Sequence, residues 1–242
     1  CRDLARSRSP PPPRDAPSKT RRGTPAPRRG GTGGGPEAEC SLPVLSARKA
    51  PPPRGDRGLV DLCLGAPAIA RRDERRYPLQ VLDVIIGGGV SSLLFQKLRE
   101  ELGLVYSTYS FNDLYSDVGF YGVYAGFAPR NWGRVWDVLQ GLFTDIPQLI
   151  TEEVVERSKQ QLRSGLLLSL ESTSTRMSRL AKGEIYDGGP LPPEVVLRLV
   201  EDVQHPQVVE LARELYHPER WSWAAVGPSR YVREDVAWRK IC

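Results

Sequence analysis

The order of strand-like and helix-like apolar patterns after residue 58 constrains the fold more than any other feature. Residues 58–68 form a short apolar run typical of a buried strand, and two segments with helical spacing follow it. Residues 105–127 alternate and are rich in Tyr, Val and Phe, which predicts two strands. Five helical segments occupy 131–216, and a last apolar strand covers 221–228. A final strand that returns beside earlier ones predicts an α+β fold, with a mostly antiparallel sheet and helices packed on one face.

The two strands within 105–127 allow a more detailed prediction. Asn112-Asp113 is a turn signal and predicts the hairpin turn at that point. Simple alternation along the first strand predicts two faces. One face would carry Val105, Ser107, Tyr109 and Phe111, and the other would carry Tyr106, Thr108 and Ser110.

Residues 1–57 differ in composition from everything after them, because Arg, Pro and Gly dominate the segment. Such a segment cannot bury enough apolar surface to offset its chain entropy, so we expect a disordered tail. It is either a linker to a preceding domain or a product of GC-rich DNA read in the wrong frame. The predicted domain therefore covers residues 58–242.

The net charge of +5 does not indicate a nucleic-acid-binding domain. Residues 1–58 carry 13 Lys and Arg against 5 Asp and Glu, a net charge of +8, which leaves −3 for the rest of the chain. The basic segment has no interleaved aromatic residues to stack on bases. We therefore expect no nucleic-acid partner.

Cysteines and hydropathy indicate the compartment. The four cysteines, Cys1, Cys40, Cys63 and Cys242, form no CxxC pair, and Cys63 is expected to be a small buried core residue. There is no apolar run long enough to span a membrane. The chain starts with Cys1 and no apolar leader, which is expected of a processed form or a fragment. A cytoplasmic location is predicted.

No residue pattern in this chain is typical of a metal site. The only histidines, His205 and His217, each precede a proline at an end of a predicted helix, and neither belongs to an H-x-x-E-H or an H-E-x-x-H motif. Both are interpreted as helix-end residues. No metal ligand is assigned to this chain.

Three consecutive glycines, Gly87, Gly88 and Gly89, separate the first two helical segments. A phosphate-binding loop is disfavoured, because no Lys-Ser/Thr follows and the glycines lie between two helices. They predict a sharp turn with positive φ and close backbone approach. Beyond it lie Arg99, at the edge of an apolar helical stripe, and Tyr106. On residue chemistry alone, these are a surface arginine and a half-exposed strand tyrosine.

Two motifs in this region resemble a known family. They are Gly-Gly-Gly-x-Ser-Ser-x-Leu-Phe at 87–95 and Arg-Glu-x-x-Gly-Leu-x-Tyr-Ser at 99–107. With the residues around them, they resemble the C-terminal homologous domain of the insulinase/pitrilysin (M16) zinc peptidases. The similarity is greatest to bacterial members related to mitochondrial processing peptidase, and it covers 58 to about 230.

The resemblance implies a two-domain clasp of homologous α+β halves around a closed chamber. The N-terminal half of such proteins carries H-x-x-E-H and a later Glu, which hold zinc and a general base. The C-terminal half contributes an Arg and a Tyr, seven residues apart, that hold the substrate backbone. Arg99 and Tyr106 match this pair in identity and spacing. This chain has no H-x-x-E-H, so zinc is expected in a missing or partner half.

Two functions follow from the resemblance. In the first, the chain is the substrate-binding half of a zinc endopeptidase, inactive alone, with a peptide or unfolded polypeptide as substrate. Its partner would be a homologous H-x-x-E-H domain, fused or separate, and a dimer is expected. In the alternative, the chain is a catalytically inactive scaffold or assembly subunit of the same family. The presence of both Arg99 and Tyr106 favours the first function.

Overall fold

The computed structural model describes residues 58–228, in which four strands and six α-helices alternate with short π and 3₁₀ segments. The strands are β1 Val60–Ala68, β2 Val105–Leu114, β3 Gly119–Phe127 and β4 Ser222–Val226. The α-helices are α1 Arg76–Gly87, α2 Trp132–Leu149, α3 Glu152–Ser169, α4 Thr173–Lys182, α5 Pro193–Glu201 and α6 His205–Leu215. Two π-helices cover Phe95–Glu101 and Gly183–Asp187. The predicted tail, with Cys1 and Cys40, and the terminal Cys242 lie outside the described residues.

The strands form an antiparallel sheet in the order β2-β3-β1-β4. β1 pairs with β3 along its whole length, and β4 returns to pair with β1 through Asp61 to Gly65. The last strand therefore lies beside the first one, as the sequence predicts.

One face of this sheet is covered by helices. Along β1, Val60, Leu62 and Leu64 are buried, whereas the intervening residues are only half-buried. The buried side chains join the helices in one apolar core, since α1 contributes fully buried residues such as Leu79 and Leu82. This arrangement confirms the predicted α+β fold with helices on one face of the sheet.

Aromatic side chains fix β4 to the rest of the core. Trp223 of β4 contacts Trp132 and Trp136 of α2, with ring centroids 5.9 and 5.6 Å apart. Just before β4, Trp221 stacks on Tyr216 at 5.3 Å and donates its indole N–H to the Leu215 carbonyl at 2.9 Å. Such contacts stabilise a short strand whose backbone pairing alone would be weak.

The hairpin turn does not lie where the sequence predicts it. Asn112 and Asp113 are still inside β2, and the turn falls at residues 115–118, where the Tyr115 amide donates to the Val118 carbonyl at 2.8 Å. The prediction was wrong because the Asn112 side chain is used elsewhere: its amide donates to the Asp83 carboxylate at 3.1 Å. Ser116 and Asp117 supply the turn chemistry instead.

The environment of Cys63 also differs from its prediction. Cys63 is only half-buried, because it lies on the face of β1 that the helices leave open. Partial burial raises the pKa of its thiol, so the thiol stays protonated at neutral pH and is a poor nucleophile.

Candidate functional site

Arg99 and Tyr106 lie close together in the structure. Arg99 belongs to the π-helix Phe95–Glu101, and Tyr106 is the second residue of β2. The Arg99 Nη1 atom donates a hydrogen bond to the Tyr106 carbonyl at 2.5 Å. The seven-residue spacing therefore corresponds to a direct contact between the end of a helix and the start of a strand.

A β-bulge sets the direction of Tyr106. Val105 pairs with Phe127 and Ser107 pairs with the adjacent Gly126, so Tyr106 has no partner on β3. Its side chain is 59% exposed. The extra residue detaches Tyr106 from both regular faces of the sheet and places it at the outer edge.

The same bulge overturns the predicted faces of β2. Thr108 is buried on the helix-covered side, opposite Ala125, and Val105 shares that side. Ser107 and Tyr109 point to the open side, so Val105 does not share a face with them. Thr108 and Ser110 do share a face, as predicted, but it is the helix-covered one. The prediction was wrong for Tyr106, because alternation holds only where the ladder is regular.

The Arg99 guanidinium is positioned but not neutralised. Its central carbon lies 5.1 Å from the centre of the Phe95 ring, a cation–π distance. Within residues 58–228, no carboxylate forms an ion pair with Arg99. A guanidinium has five N–H donors, so Arg99 keeps donors for an outside acceptor after bonding the Tyr106 carbonyl.

The glycine turn that precedes the Arg99 helix allows α1 to lie close against β2. A Cβ atom on Gly87 would lie 2.0 Å from the Ser110 amide nitrogen, so α1 and β2 approach too closely for any side chain there. Gly89 has φ of +151°, a conformation that L side chains rarely adopt. The Gly88 carbonyl accepts a hydrogen bond from the Gln161 side chain at 2.9 Å, which ties the turn to α3.

A half-buried polar network between α1 and β2 was missed from the sequence. Asp83 of α1 accepts hydrogen bonds from the Ser110 hydroxyl at 2.5 Å and from Asn112. Burial raises the pKa of Asp83, although the hydrogen bonds from Ser110 and Asn112 partly oppose this. An acidic residue inside the apolar pattern of α1 was the available signal. Ser110 and Asn112 lie on the covered face of β2, opposite the buried Val123 and Tyr121 of β3.

The open face of the sheet is lined by aromatic residues and glycines. Tyr109 stacks on Tyr124 with ring centroids 4.9 Å apart. The ring of Phe111 lies over Gly122, where an added Cβ would be 2.4 Å from a ring carbon, and Phe120 covers Gly65 in the same way. Along the described part of the chain, this face carries no helix, and its aromatic rings are half-buried or exposed.

The described residues do not fit a zinc site. Residues 58–228 contain no group of three or more His, Cys, Asp or Glu that could hold a metal ion. His205 starts α6 and its Nε2 atom lies 2.8 Å from the Ile150 carbonyl, whereas His217 follows the end of α6. The 11-residue helix α6, about 16 Å long, separates the two histidines. Separately, none of the described helices is long and apolar enough to cross a membrane.

Comparison with protein families and curated relatives gives a consistent result. The family model described as Peptidase M16 inactive domain matches residues 41–162, half of the chain. The match begins at residue 41, and the change in composition comes later, at residue 58. An uncharacterized zinc protease of Mycobacterium tuberculosis is 41% identical over 177 residues, covering 72% of this chain and 40% of the relative. One of Streptomyces coelicolor is 36% identical over 169 residues, covering 68% of this chain and 36% of the relative.

Solved structures share the fold. The crystal structure of a peptidase M16 inactive domain from Pseudomonas fluorescens has a TM-score of 0.64 and 20% identity, covering 76% of this chain and 43% of that chain. This chain therefore spans less than half the length of the relatives that it matches.

Proposed function

The chain belongs to the M16 peptidase family as its inactive, C-terminal domain, and from this premise we propose that it is the substrate-binding half of a zinc endopeptidase. The curated relatives are named zinc proteases and are more than twice as long as the matched region. A second half, fused or separate, would supply the zinc and the general base. The described residues of this chain provide no place for that metal.

The contact between Arg99 and Tyr106 is the observation that carries the proposal. Both side chains are exposed, and their backbones are held by a π-helix and a β-bulge, two irregularities that are frequent at functional sites. A guanidinium and a phenol are donors suited to a peptide carbonyl or to the oxyanion that develops from it. We assign Arg99 and Tyr106 to holding the substrate backbone at the scissile bond.

The open face of the sheet supports a polypeptide substrate. It begins one residue after Tyr106, at Ser107, and continues through Tyr109 and Phe111. The exposed Tyr109 ring and the half-buried Phe111 ring offer apolar contact to an extended chain. A peptide or an unfolded polypeptide suits this surface better than a small polar molecule does.

The assembly follows from the same proposal. A homologous domain with H-x-x-E-H would face Arg99 and Tyr106 across the substrate, and the two halves would form a dimer of domains or of chains. A cytoplasmic location accompanies this proposal, since the four cysteines show no spacing typical of a disulfide framework. The glycine turn at Gly87, Gly88 and Gly89 would act structurally, by keeping α1 and the Arg99 helix at a fixed separation.

The test is peptide cleavage by the full chain mixed with a zinc-loaded H-x-x-E-H domain of this family. Arg99→Ala and Tyr106→Phe should each lower kcat/KM about 10- to 1,000-fold, as for loss of a transition-state donor. Arg134→Ala and Tyr115→Phe are matched controls, because both residues are exposed and lie outside the site. They should keep the wild-type rate.

Two outcomes would contradict parts of the proposal. Near-wild-type cleavage by both site variants would refute the role of Arg99 and Tyr106. A stable complex that cleaves nothing would refute the enzymatic function, and the inactive scaffold or assembly subunit would then account for the family membership.

A further inference from the structure

A cavity of about 330 Å³ lies away from the Arg99 and Tyr106 site. It is open to solvent on one side and is lined by the start of α1, by α4, by the second π-helix Gly183–Asp187 and by the start of α5. Neither Arg99 nor Tyr106 lines it. Its volume is within the range of small-molecule sites in proteins.

The cavity walls carry an excess of positive charge. Arg71, Arg76, Arg176 and Arg179 line it, with one carboxylate, Asp187. Arg71 and Arg76 both bind Asp187, at 2.9 and 2.8 Å. In the described part of the chain, Arg176 and Arg179 form no ion pair. Four guanidinium groups against one carboxylate leave a net charge of +3 at the cavity.

Arg71 provides a second, independent observation. Its Nε atom is buried and, among residues 58–228, has no hydrogen-bond partner. A buried donor without an acceptor is costly, and it requires an explanation. The oxygen of an anion bound in the cavity that Arg71 lines would provide one.

The rest of the lining is apolar. Leu114, Leu170, Leu180 and Val196 contribute side chains, and Leu180 is 57% exposed although it is a large aliphatic residue. An exposed leucine beside unpaired arginines favours a ligand with a charged end and an apolar body. Such a ligand would cover Leu180 and neutralise the arginines at the same time.

We propose that this cavity binds the carboxylate of an amphiphilic monoanion, with Arg176 and Arg179 as the principal charged contacts and the leucines around its apolar group. A carboxylate fits the fork of a guanidinium. Inorganic phosphate is disfavoured, because it has no apolar group to cover Leu180 and the other apolar side chains of the lining. The carboxylate has two sources, a free fatty acid or the C-terminus of a peptide. The proposal does not depend on zinc or on proteolysis.

The test is calorimetric titration of the full 242-residue chain with octanoate and with N-acetyl-Leu-Leu bearing a free carboxyl group. Each acid is compared with its neutral amide, and inorganic phosphate is titrated separately. At least one acid should bind saturably with a sub-millimolar Kd, and its amide should bind at least tenfold more weakly. Saturable binding of octanoate alone would assign the free acid, and binding of the peptide acid alone would assign a peptide C-terminus.

Variants locate the binding. The double variant Arg176→Ala, Arg179→Ala should weaken binding of the acid at least tenfold while leaving the fold intact, because neither arginine forms an ion pair within residues 58–228. Arg134→Ala, which removes an exposed arginine of α2, should leave the Kd unchanged. The proposal is overturned if neither acid saturates by 10 mM, if the double variant binds as tightly as wild type, or if phosphate binds more tightly than both acids.

Discussion

At the scale of single residues, the distance between α1 and β2 depends on the absence of one side chain. Gly87 is buried at the end of α1, and the Ser110 backbone occupies the space that a Cβ would need. The polar network around Asp83 lies in the same interface. Substitution of Gly87 should therefore change the unfolding free energy, and substitution of Asp83 should change how that free energy depends on pH.

Gly87→Ala should destabilise the fold by about 2–3 kcal/mol, because the added methyl group overlaps backbone that cannot move without displacing β2. Gly165→Ala is the matched control. Gly165 lies in the exposed interior of α3 with open space around its Cβ position. That substitution should stabilise the fold by about 1 kcal/mol through helix propensity. Urea denaturation measures both, and equal effects would contradict the close approach of α1 and β2.

Asp83→Asn should change the pH dependence of stability. Burial raises the pKa of Asp83 in the folded chain above its unfolded value, so the folded state holds the proton more tightly. The stability contributed by this group is complete below the unfolded pKa and is lost as pH rises through the folded pKa. Asparagine does not ionise, so the Asp83→Asn variant does not lose this stability as pH rises.

The measurement is the difference in unfolding free energy between the Asp83→Asn variant and wild type from pH 3.5 to 7. Stability of the variant relative to wild type should increase with pH across that window. The lowered pKa values of Asp73 and Asp187 act in the opposite direction but are common to both proteins. A flat or falling difference would show that Asp83 is not held as a buried acid.

Among the helices and strands, the start of α3 is fixed by its own local sequence. Thr151 caps α3, since its side-chain oxygen accepts a hydrogen bond from the Val154 amide at 3.3 Å. Glu152 and Glu153 follow in the first turn, where their negative charges interact favourably with the positive end of the helix dipole. The local sequence alone is therefore sufficient to begin this helix.

Thr151→Ala should cost about 1 kcal/mol of stability, because the first turn of α3 loses its side-chain cap. Thr151→Ser keeps the oxygen and should remain within a few tenths of a kcal/mol of wild type. Thermal denaturation monitored by circular dichroism distinguishes the two. An alanine variant as stable as the serine variant would argue against capping by Thr151.

Elements with local signals were predictable from the sequence, and irregular ones were not. The helical spacing of residues 77–88 and the cap at Thr151 correctly predicted α1 and α3. The bulge at Tyr106 was not predictable, because an extra residue in a strand leaves no mark in an alternating pattern. The arginine cavity was not predictable either. It joins Arg71 and Arg76 to residues about a hundred positions later in the chain, and only the tertiary fold sets that proximity.

At the scale of the whole molecule, the fold presents one covered and one open face of a sheet. The helices and the aromatic cluster around Trp223 stabilise the covered face. On the open face, Tyr109 and Tyr124 lie beside the edge that carries Arg99 and Tyr106. The chain matches less than half of each longer relative. We therefore propose that a second domain lies opposite this open face and supplies the zinc.

The most direct test of that claim is zinc-dependent cleavage of an unfolded polypeptide by three samples. These are the full chain alone, an H-x-x-E-H domain of the family alone, and their mixture. This chain alone should cleave nothing at any zinc concentration. The mixture should cleave more than the metal-binding domain alone, and a chelator should abolish that cleavage. Zinc-dependent cleavage by this chain alone, or a mixture no more active than the metal-binding domain, would contradict it.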